Sequence, residues 1–484
     1  MKVFDEQIDY LLSQFIDKPS RRQFLQQVGM AGFGIFATQI AATDTLAQRR
    51  PAPPIIKGKK LTKSSFVDAT ECPTKLFYIG KKEYANETLE NPFMRALGEG
   101  GFQVGELAKF YHSEGIELKE IDLIRALEET KSILAKEKVT IFNAAIGTDQ
   151  LLVRPNILIK NGENIDLIEV KAKVFNSKAE NPFRTKKGKI RRSWREHLYD
   201  VAFQKHVIQR AYPHLKVSSF LMMADNSKSS PTDGLNQKFK IARAKNGKKY
   251  AIASPKLSEA DRKVEILTKI NVDDLCQEIF RRSVAIRGLK LTFEKMVDVF
   301  ATAFQRDIKL SPQPSSTCRN CEFQSKSKNS LLNDGLQECW SQSLRWKKED
   351  FEEPNVLRLW SYRKKDALIN AGRIKQSQIL ESDINPKADK KMGLSRTQRQ
   401  WLQVKKVKEN DPTPYIDKTS LRREMNSWTY PLHMIDFETS SPAIPFVKGM
   451  KPYEGIAFQY SHHVIYKDGK VEHKGEWLGT EPGE

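Results

Sequence analysis

The sequence predicts an α/β fold in which a mixed sheet is flanked by helices. Three observations support this prediction. Residues 121–136 have apolar positions at helical spacing, and three short apolar runs follow between positions 139 and 170. A long amphipathic stretch at 192–211 then precedes another apolar run at 216–223. Helical and strand patterns that alternate in this way are typical of a sheet covered by helices.

Length and charge narrow the functional classes. The chain has 484 residues, enough for two or three domains, and a formal net charge of +21. A positive excess of this size suits a polyanionic partner such as nucleic acid, although a basic protein that only gains solubility is the alternative. Five cysteines are too few for a disulfide scaffold.

The hairpin-like run at 154–173, RPNILIKNGENIDLIEVKAK, is the most informative stretch. Two apolar runs flank Asn161-Gly162, a turn dipeptide, and the second run ends in Glu169-Val170-Lys171. The two-residue period of a strand places Glu169 and Lys171 side by side at the strand end. A carboxylate beside a lysine can hold a divalent metal and position a water.

Residues 1–60 have a different character. Ser20-Arg21-Arg22-Gln23-Phe24-Leu25 precedes a mildly apolar run at 28–42 and resembles a twin-arginine export signal, which would send the protein to the periplasm. A short amphipathic helix with a chance Arg pair is the alternative. The run is too short to span a membrane. Residues 49–60, rich in Pro and Lys, form the expected linker.

Four of the cysteines form a pattern. Cys72 is expected on the body of a helix that begins near position 61, while Cys318, Cys321 and Cys339 cluster late in the chain. Four thiolates that meet in space suit either zinc or an iron–sulfur cluster. Cys276 has no place in this set and is expected in the core.

A basic loop precedes the helix at 192–211 and lies between Phe183 and Trp194. Positive charge interleaved with aromatic rings suits a nucleic-acid strand, and a solvated loop is the alternative. The loop's basic residues are Arg184, Lys186, Lys187, Lys189, Arg191 and Arg192.

Four motifs together resemble an uncharacterised bacterial family: CPTKLFY at 72–78, GGFQVGELAK at 100–109, LIEVKAK at 167–173 and YDVAFQKHVIQ at 199–209. Members of that family join a RecB-like PD-(D/E)xK nuclease module to a C-terminal DnaQ-like domain. The resemblance covers residues 61–484. It implies a restriction-endonuclease-like core, and a 4Fe-4S clasp on the four cysteines as in CRISPR-associated RecB-like nucleases.

The same resemblance assigns roles in the nuclease site. It implies Mg²⁺ or Mn²⁺ held by Glu106 and Glu169, with Lys171 acting on the water and Gln204 in support. Ile208 stands where such nucleases place a Tyr. Asn156 stands where they place a metal-binding Asp, and a neutral amide binds a divalent cation more weakly.

The C-terminal stretch extends the resemblance. Residues 430–439 form an apolar strand ending in Asp436-Phe437-Glu438, which resembles the first motif of DEDD exonucleases with an RNase H-like, DnaQ-type fold. Two carboxylates on one strand face can share a metal. Strands are expected at 456–465 and 471–478. We expect the sequence to be a fragment that stops within this domain, or the domain to be degenerate.

The predicted organisation is an extension at 1–60, a nuclease module with its clasp at 61–344, a charged helical connector at 345–428 and the start of an exonuclease domain at 429–484. Trp360 and Trp401 are expected to anchor the connector by packing. The leading hypothesis is a metal-dependent, exonuclease-like enzyme that hydrolyses phosphodiester bonds, in DNA rather than RNA, in the cytoplasm. Two alternatives are a DNA-binding module impaired at Asn156 and an exported iron–sulfur protein.

Overall fold

The structure, a computed structural model, describes Ile8 and residues 59–90, 92–244, 249–286, 289–325, 331–391 and 393–480. The Arg21-Arg22 pair of the predicted export signal lies outside these residues. Within the described ranges, no helix is long and apolar enough to cross a membrane.

Helices and strands alternate through most of the chain. The α-helices are α1 (Lys63–Glu71), α2 (Lys75–Tyr78), α3 (Glu87–Glu90), α4 (Pro92–Phe110), α5 (Leu123–Leu134), α6 (Arg192–Ala211), α7 (Glu259–Arg262), α8 (Asp273–Arg281), α9 (Phe293–Gln305), α10 (Gly335–Leu344), α11 (Lys365–Asn370), α12 (Glu381–Ile384), α13 (Arg396–Lys408) and α14 (Lys418–Asn426). The strands are β1 (Leu61–Thr62), β2 (Ile116–Glu117), β3 (Lys138–Phe142), β4 (Ile146–Gly147), β5 (Leu151–Val153), β6 (Ile157–Asn161), β7 (Asn164–Phe175), β8 (Lys216–Asp225), β9 (Phe239–Arg243), β10 (Lys249–Ala253), β11 (Leu267–Asn271), β12 (Val284–Ile286), β13 (Leu289–Leu291), β14 (Leu432–Ser440), β15 (Ile456–Ile465) and β16 (Val471–Leu478).

The central element is a six-stranded mixed sheet with strand order β11-β8-β7-β6-β3-β2. The pairs β7–β8 and β2–β3 are parallel, and the other neighbours are antiparallel. Helices α6 and α4 cover opposite faces, because Leu167 packs into the core beneath α6 and the next residue, Ile168, into the core beneath α4. The predicted mixed sheet flanked by helices is therefore confirmed.

The central hairpin differs in detail from its prediction. The register pairs Asn161 with Asn164, so the turn residues are Gly162 and Glu163, and Gly162 has φ +61. Strand β7 continues to Phe175 through a register shift between Lys171 and Val174. The predicted strand end at Lys171 is wrong, because parallel pairing with β8 carries the strand past its polar residues.

Aromatic rings from three helices pack against one another on the α6 side of the sheet. The rings of Phe66 on α1 and Phe203 on α6 stack with centroids 4.5 Å apart, and Phe293 of α9 meets Phe66 edge-on at 5.6 Å. All three side chains are buried. This contact fixes where α1 lies above the sheet.

A separate core joins the region of the late cysteines to the connector. Trp340 of α10 packs with Val356, Leu359 and Val404, and Cys318 and Cys339 lie partly buried against this cluster. Trp401 also packs on it. Trp360 was expected to be a packing anchor, but it is 50% exposed, so that expectation is wrong for this residue.

The C-terminal strands form a three-stranded antiparallel sheet with order β14-β15-β16, and the strands predicted at 456–465 and 471–478 are confirmed. The loop between β14 and β15 packs against the part of the chain that contains the six-stranded sheet, which we call the first module. Ile444 is buried in the core beneath α4, and the amide of Gly234 donates to the carbonyl of Phe446 at 2.7 Å.

We predict that Phe203→Ala lowers the free energy of unfolding by about 3–5 kcal/mol, because it opens a cavity where Phe66 stacks. Urea denaturation of the full chain measures this change. The control is Phe102→Ala, which removes a 44% exposed ring and should cost less than about 1 kcal/mol. Equal losses in the two variants would contradict the proposed packing.

Candidate active site

Glu169 is the centre of a charged cluster beneath α6. Its side chain is buried, and Oε1 accepts from Lys63 Nζ at 2.6 Å and from Lys171 Nζ at 2.9 Å. Since period-two geometry predicted Glu169 and Lys171 on one face of the strand, this part of the prediction is confirmed. Burying an ionised carboxylate is unfavourable unless it is paired, and these two ammonium groups provide the pairing.

Helix α6 contributes two further members, spaced four residues apart and therefore on one helix face. The Nε2 group of Gln204 donates to Glu169 Oε2 at 2.9 Å and to Asp200 Oδ1 at 2.8 Å. Lys171 also reaches Asp200, with Nζ 2.5 Å from Oδ2. The structure thus brings the predicted trio of Glu169, Lys171 and Gln204 together and adds Asp200.

Asn156 lies immediately before β6, next to this cluster. Its Oδ1 accepts the backbone N–H of Val170 at 2.9 Å, between the two charged residues of β7. The amide oxygen is therefore used to hold the hairpin at the position where the resemblance expects a metal-binding carboxylate.

Glu106 has a different set of contacts. It lies on α4, on the face of the sheet opposite α6, and its carboxylate accepts from Lys109 Nζ at 2.6 Å. Lys109 Nζ also donates to Glu117 Oε1 at 2.5 Å. In the part of the chain that the structure describes, no group of three or more His, Cys, Asp or Glu side chains is arranged to hold a metal ion.

The pKa values of the cluster reflect burial opposed by pairing. Burial would raise the pKa of Glu169, but the charges of Lys171 and Lys63 and the Gln204 amide hold it below its ordinary value. Burial and the charge of Glu169 raise the pKa of Asp200. The pKa of Lys171 is raised, since both carboxylates outweigh its own burial. Glu169 and Lys171 are therefore both charged at neutral pH.

The four predicted cluster cysteines come into one neighbourhood. Cys72 ends α1 in an extended conformation rather than lying on a helix body, because Pro73 follows it. Burial and then the charge of Cys318 raise the pKa of Cys72. Burial also raises the pKa of Cys321, with smaller contributions from Glu322 and Cys72. Burial raises the pKa of Cys339 to about 12, with contributions from Cys72 and Cys318. All of them are free thiols.

Local contacts hold the late cysteines in place. The amide of Cys321 donates to the carbonyl of Cys318 at 3.2 Å, closing the turn of the C-x-x-C segment. Tyr78 Oη lies 3.2 Å from Cys339 Sγ. Cys276 is fully buried in the core beneath α6, as predicted.

The predicted basic loop is an ordered turn with mixed exposure. Arg184 is paired with Glu278 at 2.7 Å, while Lys186, Lys187, Lys189, Arg191 and Arg192 are exposed. Phe183 and Trp194 are buried against each other with ring centroids 5.1 Å apart. The loop therefore offers positive charge, but its flanking rings are not available to stack on bases.

Asp436 and Glu438 lie on one face of β14, which is an edge of the C-terminal sheet. Both side chains are exposed. Neither forms an ion pair with another residue that the structure describes.

Three neighbours of Glu169 were missed by the sequence analysis. Asp200 could have been found, because it lies one helical turn before Gln204. His197 lies almost one turn before Asp200 and belongs to the same neighbourhood. Lys63 gave no local signal, since it is 106 positions from Glu169 and reaches it only because α1 packs on α6.

Comparison with known proteins gives one match. A family model described as a domain of unknown function, DUF2779, matches residues 433–483, a range that includes most of the C-terminal sheet. No curated protein and no solved structure matches the chain.

We predict that His197 makes the protein less stable in acid. Burial and the charges of Lys171 and Lys173 lower its pKa from 6.5 to about 4. The unfolded chain therefore binds this proton more readily than the folded chain does. Above the pKa of His197 in the unfolded chain, the imidazole is neutral in both states and has no effect on stability. The free energy of unfolding then falls as the pH drops from about 6.5 towards about 4.

The measurement is urea denaturation of wild type and His197→Gln at about pH 7 and about pH 4.5. The wild type should lose on the order of 1–2 kcal/mol more than the variant over this interval. Parallel losses in the two proteins would contradict the predicted pKa.

Proposed function

We propose that the chain is a metal-dependent nuclease that hydrolyses phosphodiester bonds in DNA. The observation that carries this proposal is the buried cluster in which Lys171 and Gln204 each contact both Glu169 and Asp200. Such a strand-and-helix arrangement supports the resemblance to PD-(D/E)xK nucleases. The net charge of +21 supports a polyanionic substrate.

The oxygen atoms of this cluster fit one divalent ion, provided that Lys63 moves away from Glu169. Mg²⁺ commonly binds through one or two carboxylates, retaining waters and adding substrate phosphate oxygens, and Glu169 and Asp200 offer two carboxylates. Gln204 adds a buried Oε1 with no hydrogen-bond partner among the described residues. The condition is that Lys63 withdraws from Glu169, which its 23% exposed side chain allows.

Each residue then has a distinct task. Lys171 would hold the attacking water and a phosphate oxygen through its ammonium group, and Gln204 would fix the orientation of both carboxylates. Asn156 would hold the backbone of Val170 and so the geometry of the hairpin. The chemistry that a bound Mg²⁺ or Mn²⁺ supplies is neutralisation of the phosphate and a lower pKa for a bound water.

A second candidate is a module that binds DNA and does not cleave it. The ion pair of Lys63 with Glu169 favours this candidate, because the ammonium group already supplies the positive charge that a metal would supply. With Asn156 neutral, the acidic side chains of Glu169 and Asp200 each already have a lysine partner without a metal. The two candidates differ in whether a divalent cation can replace Lys63.

We predict that Asn156→Asp increases Mn²⁺-dependent cleavage of end-labelled DNA by roughly tenfold, because the new carboxylate strengthens metal binding. Lys171→Ala should reduce cleavage by about 100- to 10,000-fold. The assay uses single- and double-stranded DNA, and RNA of the same sequence. The matched control is Lys173→Ala, two residues further along β7 and outside the pairing with Glu169.

Three results would decide between the candidates. Cleavage that survives Lys171→Ala would contradict the proposed enzyme. Wild-type protein that binds DNA without cleaving it, with and without Mn²⁺, would favour the binding module. Lys63→Met should lower the Mn²⁺ concentration needed for half-maximal cleavage if the ammonium group competes with the metal.

We further propose that Cys72, Cys318, Cys321 and Cys339 hold a 4Fe-4S cluster. Their free thiols, their mutual effects on pKa and the closed C-x-x-C turn support this assignment. The four described side chains are not arranged as a metal site in the absence of the cluster, so the assignment requires them to close around it. Four cysteines are the usual ligands of such clusters. The cluster would join α1 to the late cysteine region, which lies more than 240 residues away in sequence.

We predict that the purified protein is brown, contains iron and absorbs broadly in the visible range. Cys318→Ser and Cys339→Ser should each lose most of both, while Cys276→Ala should keep them because Cys276 lies in a separate core. Circular dichroism establishes that each variant is folded. A colourless protein that contains zinc would contradict the iron–sulfur assignment.

A further inference from the structure

The connector carries a basic surface that is separate from the site around Glu169. Between positions 387 and 408 the chain has eight basic residues and one acidic residue. Four of the basic side chains on α13 are exposed: Arg396, Arg399, Lys405 and Lys408. None of these four forms an ion pair with a residue in the described part of the chain. Helical spacing places Lys405 and Lys408 on the other side of α13 from Arg396 and Arg399, so the positive charge extends around the helix. We call these four residues with Trp360 the α13 surface.

Helix stability does not explain this charge. Basic residues in the last turn of a helix interact favourably with the macrodipole, which accounts for Lys405 and Lys408. Arg396 and Arg399 lie in the first two turns, where positive charge is unfavourable. Packing does not explain it either, since the buried side of α13 is formed by Gln400 and Val404.

An exposed aromatic ring lies beside Arg399. Trp360 is held against α13 through its backbone, because its N–H donates to Gln403 Oε1 at 3.0 Å and its carbonyl accepts from Gln400 Nε2 at 3.1 Å. The indole itself is 50% exposed, and the Arg399 guanidinium lies 5.9 Å from its centroid. A ring fixed by its backbone and open on one side can stack on a base at a small entropic cost.

We infer that the α13 surface binds a single strand of nucleic acid, with its basic side chains on the phosphates and Trp360 stacked on a base. Charge complementarity and the exposed ring together favour this partner over an acidic protein, which has no need of a stacking ring. The basic loop before α6 lacks such a ring, since Phe183 and Trp194 are buried. The inference does not depend on cleavage.

The test measures fluorescence anisotropy of labelled single-stranded DNA and RNA oligonucleotides with the full chain in EDTA, over a range of salt concentrations. Replacing Arg396, Arg399, Lys405 and Lys408 together by Gln should weaken binding by roughly tenfold or more. The slope of log affinity against log salt should fall by about 0.7 for each phosphate that the variant no longer neutralises. Comparison of the two oligonucleotides identifies the preferred sugar.

Two further variants separate stacking from charge. Trp360→Leu should weaken binding by about 5- to 150-fold, as expected for the loss of one stacked base, and should leave the salt slope unchanged. Trp360→Phe should retain most of the affinity. The control for net charge replaces four exposed lysines elsewhere by Gln: Lys119, Lys131, Lys138 and Lys467.

Any of three results would overturn the inference: that the wild type binds neither oligonucleotide, that the control set weakens binding as much as the α13 set does, or that Trp360→Leu binds as tightly as wild type. Circular dichroism and thermal denaturation of each variant establish that the weaker binding does not come from unfolding.

Discussion

The burial of Glu169 is the constraint on which the first module depends. A carboxylate under a helix-covered sheet must be compensated, and its partners come from three separate elements: Lys63 from α1, Lys171 from β7 and Gln204 from α6. Each element must therefore be held to within a hydrogen-bond length of the others. The ring stack between Phe66 and Phe203 provides this for α1 and α6, because it lies one turn from Lys63 and next to Gln204.

The cluster combines structural and chemical roles in the same groups. The Gln204 amide and the Lys171 ammonium group each contact both carboxylates, so a movement of either one removes a hydrogen bond from Glu169 and from Asp200 at the same time. Lys63 has more freedom, because it pairs with Glu169 alone and remains partly exposed. Asn156 uses its oxygen on the backbone. The site is thus rigid on the α6 side and adjustable on the α1 side.

The sequence pattern predicts those structural features that are determined by residues close together in the chain. The boundaries of α6, β15 and β16 follow from hydrophobic periodicity and turn residues, as does the shared face of Glu169 and Lys171. The length of β7 could not be predicted, because its pairing with β8 is decided between distant segments. For the same reason the position of Lys63 depended on tertiary packing. Trp360 is exposed although its sequence position predicts a packing anchor, because aromatic character alone does not decide burial.

The shared core around Trp340 has a consequence for how the chain can be divided. Helix α10 lies at the end of the cysteine region, yet its Trp340 is buried among residues of the connector as far along as Val404. A polypeptide cut at about position 344 would separate the two halves of this core and leave apolar faces on both pieces. The smallest piece that keeps the late cysteines in their native packing therefore extends through α13, and the connector behaves as part of the cysteine region rather than as a tether.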